Sequence, residues 1–168
     1  SIRPQITSEV HFLNSRETQS HETSITKRSS NDKAIRMTPE ALMQLAIEKG
    51  REGIALGQTP FGCAIWQTSG VTAVAHNTVW QTSDITAHAE INALREAGNR
   101  TANPLLEGAM VATTCEPCPM CAAALHWARV EKIYFGATIA DAAQAGFSEL
   151  PLPAAQVLEA GNSPIHLE

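Results

Sequence analysis

The strongest constraint on the fold is the way two hydrophobic periods alternate along the chain. "MTPEALMQLAIEKGREGIALG" places Leu42, Leu45, Ala46 and Ile54 near helical spacing. Thr38 suits a cap, Pro39 the first helical position, Glu40 the positive end of the dipole and Gly57 the stop. "FGCAIWQ" and "VTAVAHNTVW" read as two strands joined by the tight turn "TSG". Helix and strand then take turns: "AHAEINALREAG" helix, "GAMVATTC" strand, "CPMCAAALHWARV" helix, "KIYFGA" strand. "DAAQAGF" is a short helix or loop, "PAAQVLEAG" a short helix and "SPIHLE" a last strand. Strands separated by helices predict a largely parallel sheet with helices on both faces, opened by an antiparallel hairpin. No internal repeat is visible.

Residues 1–36 are polar, with "VHFL" their one apolar cluster, and are expected to form a flexible N-terminal extension. They carry six Lys/Arg against four Asp/Glu, whereas residues 37–168 carry six against thirteen. An acidic domain is a poor general partner for a polyanion, so nucleic acid is not the expected substrate. Nothing approaches the apolar length of a membrane span or a signal peptide, and the expected location is cytoplasmic. A domain of this size buries a core without staples, so its four cysteines are not needed to rescue the fold.

Three of those cysteines, 115, 118 and 121, fall in "TTCEPCPMCAAALHWAR". Cys118 and Cys121 open a predicted helix, and so does His88 in "HAE". Side chains at a helix start project beside unpaired backbone N–H groups with partial positive charge, which suits thiolates. One imidazole and two thiolates match the tetrahedral preference of Zn²⁺ and leave one position open. Glu90, two residues beyond His88, would reach that position without being a ligand. The alternative on these residues is a structural Cys₃His site with Cys115 as the fourth ligand. Against it, Cys115 ends a predicted strand, and such a site gives Glu90 no task.

The joint pattern resembles the cytidine and deoxycytidylate deaminase superfamily, whose zinc enzymes carry H-x-E followed by P-C-x-x-C. His88-Ala89-Glu90 and Pro117-Cys118-Pro119-Met120-Cys121 match it. "TPFGCAI", "AHN" and "WAR" are also similar, so the resemblance runs from about residue 38 to 150. It implies a deaminase domain over residues 37–168, folded as a three-layer α/β/α sandwich around a five-stranded mixed sheet. It implies one Zn²⁺ on His88, Cys118 and Cys121, and hydrolytic deamination of an aminated ring with Glu90 carrying the proton. The backbone N–H of Ala89 and the side-chain amide of Asn77 are the implied contacts to the base. At least a homodimer is expected, since relatives of this kind are dimers or tetramers.

Within the superfamily, three segments resemble guanine deaminases: "TPFG" with Phe61, "HWAR", and "DAAQAGF"; the alternatives are a tRNA adenosine deaminase, a deaminase of cytosine, a nucleoside or another aminated heterocycle, and, in a different class, a non-catalytic binding protein stabilised by zinc. By that match Asp141 is the expected second carboxylate. Trp127, Met120 and Leu125 are expected in the core, His76 as a structural residue, and Trp80 near the pocket mouth.

Overall fold

The computed structural model describes residues 37–168, and the extension expected over residues 1–36 lies outside them. Helix α1 (Pro39–Ala55) starts as its sequence dictates. Thr38 is the N-cap and its hydroxyl accepts the N–H of Ala41 at 3.2 Å, with Pro39 inside the first turn. The hairpin strands are β1 (Gly62–Gln67) and β2 (Gly70–His76), joined at Gly70, whose φ of 123° glycine adopts without strain. Then follow α2 (Val79–Thr82), α3 (Ala89–Thr101), β3 (Met110–Cys115), α4 (Pro119–Trp127) and β4 (Lys132–Ala137). The remaining elements are α5 (Ile139–Gln144), α6 (Ala154–Ala160) and the two-residue β5 (His166–Leu167).

The five strands form one sheet in the order β2-β1-β3-β4-β5. β1 is antiparallel to both β2 and β3, and β3–β4 and β4–β5 are parallel. The sheet is therefore evenly mixed rather than largely parallel. The reason is the path of α3, which carries the chain back over β1. β3 runs in the direction of β2 but is laid down on the far side of β1.

Strand alternation divides the core into two layers. Cys63 and Ile65 of β1, Ala73 and Ala75 of β2, Val111 of β3 and Ile133 of β4 face α3, α4 and α6. Ala64, Trp66, Val74, Ala112 and Tyr134 face the opposite way, where Leu42 and Ala46 of α1 cover them. The result is the expected α/β/α sandwich. Helix α1 lies unusually close to β1. A Cβ on Gly62 would collide with the carbonyl oxygen of Ala46 and come within 2.7 Å of the Gly50 nitrogen. That contact fixes the mouth of β1, where Phe61 leaves the sheet.

Two expectations at element ends are corrected. β2 stops at His76, and "NTVW" leaves the strand to form the turn of α2. Trp127 is 73% exposed rather than in the core. It follows the fully buried Leu125 by two residues, a rotation of about 200° on a helix, and so faces outward. His76 holds the structural place expected of it, packed where a Gly53 Cβ would sit and hydrogen-bonded through Nδ1 to the Asn77 carbonyl at 2.7 Å. Among the described residues no helix is long and apolar enough to cross a membrane.

Candidate active site

The ends of β1 and β3 and the starts of α3 and α4 converge on one point. His88 is the N-cap of α3 and Cys118 the N-cap of α4, both with extended backbone. Pro119 occupies the first turn of α4, where its missing N–H costs nothing, and Cys121 follows one turn later on the same face. His88 Nδ1 lies 3.6 Å from Cys118 Sγ and 3.7 Å from Cys121 Sγ. The three ligand atoms all fall within 4.8 Å of one another. A tetrahedral zinc with bonds near 2.3 Å to sulfur and 2.05 Å to nitrogen separates an N/S pair by roughly 3.6 Å, so the spacing fits the ion.

The electrostatics agree. Cys118 is held down to about 4, chiefly by the hydrogen bond it accepts from Cys121 and then by the one from His88, against the cost of burial. Cys121 is pushed up because it keeps the shared proton and is buried. His88 is pushed up, first by its hydrogen bond with Cys118. A thiolate that forms this readily is the form a zinc ion binds. Cys115 stays outside the cluster. Its thiol is pushed up to about 12, mainly by burial, and it faces the Thr138 carbonyl at 3.9 Å.

Glu90 is buried in the first turn of α3, 6% exposed. Its Oε1 accepts the Thr113 hydroxyl at 3.0 Å and its Oε2 lies 3.4 Å from Cys121 Sγ. Burial is the main cause that raises its carboxyl above the usual range. Thr113 is not among the residues expected from the sequence. Its signal was present: a polar residue two positions after Val111 on β3, hence on the inward face.

A narrow recess of about 20 Å³, enough for one water-sized group, is bordered by His88, Glu90 and Cys118. It opens on a cavity of about 500 Å³ that shares Phe61, Asn77, His88, Cys118 and Glu149 with it. Asn77 is 4% exposed, and its Oδ1 accepts the Val79 N–H at 3.1 Å. That bond fixes the amide and leaves Nδ2 as the group it can offer to the cavity. The Phe61 and Phe147 rings meet edge to face with centroids 4.9 Å apart. Trp80, 73% exposed, and the half-buried Met120 stand on the cavity wall. Ala89 is fully buried at the first position of α3 and does not line either space.

Asp141 is not at the cavity. Its carboxylate accepts the Thr138 N–H at 2.9 Å and hydroxyl at 2.6 Å, while Thr138 accepts the Asp141 N–H, a reciprocal cap on α5. These bonds hold its carboxyl below the usual range. The carboxylate that reaches the cavity is Glu149, raised mainly by burial. The chain turns at Gly146, with φ of 91°, and that turn swings Phe147 and Glu149 inward. A carboxylate two residues beyond an aromatic, just after a glycine, was the available signal.

With this geometry in place, the family model for the cytidine and deoxycytidylate deaminase zinc-binding region matches residues 36–137. The chain belongs to that family. Guanine deaminase of Bacillus subtilis is 37% identical over 114 residues, covering 67% of this chain and 73% of that one. Its X-ray structure superposes with a TM-score of 0.65 over the same shares. A guanine deaminase from Nitrosomonas europaea superposes with a TM-score of 0.72 at 28% identity, over 82% of this chain and 79% of that one. The tRNA-specific adenosine deaminase of Aquifex aeolicus is also 37% identical, over 60% of this chain and 67% of its own length. The chain is thus a zinc-dependent hydrolytic deaminase.

Proposed function

We propose that this deaminase converts guanine to xanthine and ammonia. The observation that carries the reading is the pair of carboxylates, Glu90 in the recess and Glu149 where the recess opens on the cavity walled by Phe61 and Phe147. A cavity of about 500 Å³ suits a purine-sized ligand. Among the described residues no Lys or Arg lines either the recess or the cavity. A site that docks a tRNA loop draws its affinity from cations around the target, and this rim supplies none.

When bound by His88, Cys118 and Cys121, zinc supplies the Lewis acidity that makes water a nucleophile at neutral pH. The rest falls to the chain. Asn77 Nδ2 donates to an acceptor on the base edge, and the Phe61–Phe147 wall stacks against its apolar faces. Glu90 takes the proton of the attacking water at one carboxylate oxygen and passes it to the adjacent ring nitrogen. The second proton of the water, released as the new ring carbonyl forms, reaches the exocyclic amine through Glu149, and the amine leaves as ammonia. Two carboxyls with separate environments divide the two proton transfers.

A homodimer is part of the same reading, and the exposed Trp80, Ile85 and Leu150 at the mouth are the surface a second subunit would cover. The deciding experiment is ammonia release by the zinc-loaded full chain from guanine, adenine, cytosine, their nucleosides and a tRNA anticodon stem-loop. Guanine is expected to give the highest kcat/KM. Preferential turnover of adenosine in the stem-loop would overturn the assignment.

A further inference from the structure

Glu116 lies directly after β3 and two residues before the ligand Cys118. Its own N–H donates to the Ala137 carbonyl at 2.7 Å, which pins it to the end of β4. Its two carboxylate oxygens then serve two distant backbone donors. Oε2 accepts the Ile139 N–H at 3.1 Å and Oε1 accepts the Ala154 N–H at 2.9 Å. Ile139 begins α5 and Ala154 begins α6. The segment between them carries Phe147, Glu149 and Leu150 to the cavity. One side chain therefore closes both ends of the segment that forms one wall of the cavity.

The donors need it. Pro153 precedes α6 and offers no side-chain cap, while the Thr138 hydroxyl is already committed to the Asp141 N–H. Two diverging N–H groups require two acceptor oxygens on one planar head. Glutamine would turn an NH₂ towards one of them, and aspartate is one methylene short of bridging both. Glu116 borders the recess, but both of its oxygens are occupied, so it acts through the segment and not on the substrate.

We propose that Glu116 is a positioning residue that locks the Phe147–Glu149 wall to the metal-ligand turn, setting Phe147 against Phe61 and Glu149 over the reacting amine. The inference rests on the cavity being the substrate site, though not on guanine being the substrate.

The test compares the zinc-loaded full chain with Glu116→Ala and Glu116→Gln. Amide hydrogen exchange at Ile139, Ala154 and residues 145–152 is expected to rise at least about tenfold in Glu116→Ala, the loss of a charge-assisted bond at each site. Amides of β1 and β3 and the zinc content are expected to stay unchanged. Glu116→Gln, the milder change should the first variant fold poorly, is expected to deprotect one of the two amides only. A double-mutant cycle in kcat/KM with Glu149→Gln supplies the functional arm. If Glu116 acts through Glu149, its removal costs much less in the Glu149→Gln background than in the wild type. Unchanged exchange at both amides, loss of zinc, or strict additivity in the cycle would each overturn the proposal. Should no base be turned over, the exchange arm still decides whether the clamp exists, which separates this failure from that of the proposed function.

Discussion

Asn77 offers the sharpest dissection of the cavity because its two amide atoms face different tasks. Oδ1 holds the Val79 N–H at 3.1 Å, and Nδ2 is left for the substrate. Asn77→Asp keeps the first bond and replaces the second donor with an acceptor. Losing that contact leaves a buried polar atom of the base unpaired, which costs about 1–3 kcal/mol. In kcat/KM this corresponds to roughly a 5- to 150-fold loss. Asn77→Ala removes both bonds, so the same kinetic loss comes with a drop in stability of about 1–3 kcal/mol from the orphaned Val79 N–H. Steady-state kinetics paired with exchange at the Val79 amide separates the two. Protection of that amide is expected to survive in Asn77→Asp and to vanish in Asn77→Ala, with activity lost in both. Full kcat/KM in Asn77→Asp would show that Nδ2 does not donate to the substrate, and the assignment of the cavity's polar edge would fall.

The close approach of α1 and β1 makes Gly62→Ala costly, about 3 kcal/mol in chemical denaturation at the upper end for overpacking, and a wild-type midpoint would contradict the packing. Asp141 has a folded-state pKa below its unfolded one. Its contribution to stability is therefore present above the unfolded value near ~3.9 and lost as pH falls through the folded value. Asp141→Asn is expected to flatten that acid limb of the stability profile and to leave turnover at neutral pH within about twofold, and a large kinetic loss would return Asp141 to the reaction. The Phe61–Phe147 edge contact should appear as a coupling of about 0.5–1.5 kcal/mol in a double-mutant cycle on substrate binding with leucine at each position. No coupling would mean that the two rings do not form one wall.

The parts of this molecule that were legible in the sequence are those fixed within a few residues. His88 and Cys118 each sit at a helix start, and cap geometry is a local property, so the ligand set could be read before any long-range contact was known. The direction of β3 was not legible, because it depends on which side of β1 the α3 crossover returns. Which of Asp141 and Glu149 reaches the cavity was not legible for a similar reason. Both are acidic residues on one short segment, and only the turn at Gly146 decides which of them enters the cavity. Trp127 lies on the same helix as Leu125, but its offset of two residues places it on the outward face, which membership of that helix alone does not reveal. The Glu116 clamp joins residues 23 and 38 positions away, beyond the reach of any local pattern.

The central claim is that three residues hold the metal while a fourth, buried against Thr113, moves the proton. Glu90→Gln tests it most directly, because it keeps the shape and the Thr113 contact and removes only the exchangeable proton. Zinc content by atomic spectroscopy and ammonia release are measured on the same preparation. One zinc per chain is expected, as in the wild type, with turnover reduced by about 10²- to 10⁴-fold, the usual contribution of a positioned acid–base group. Loss of the metal would show that Glu90 is a ligand, and retained turnover would show that the proton travels by another route.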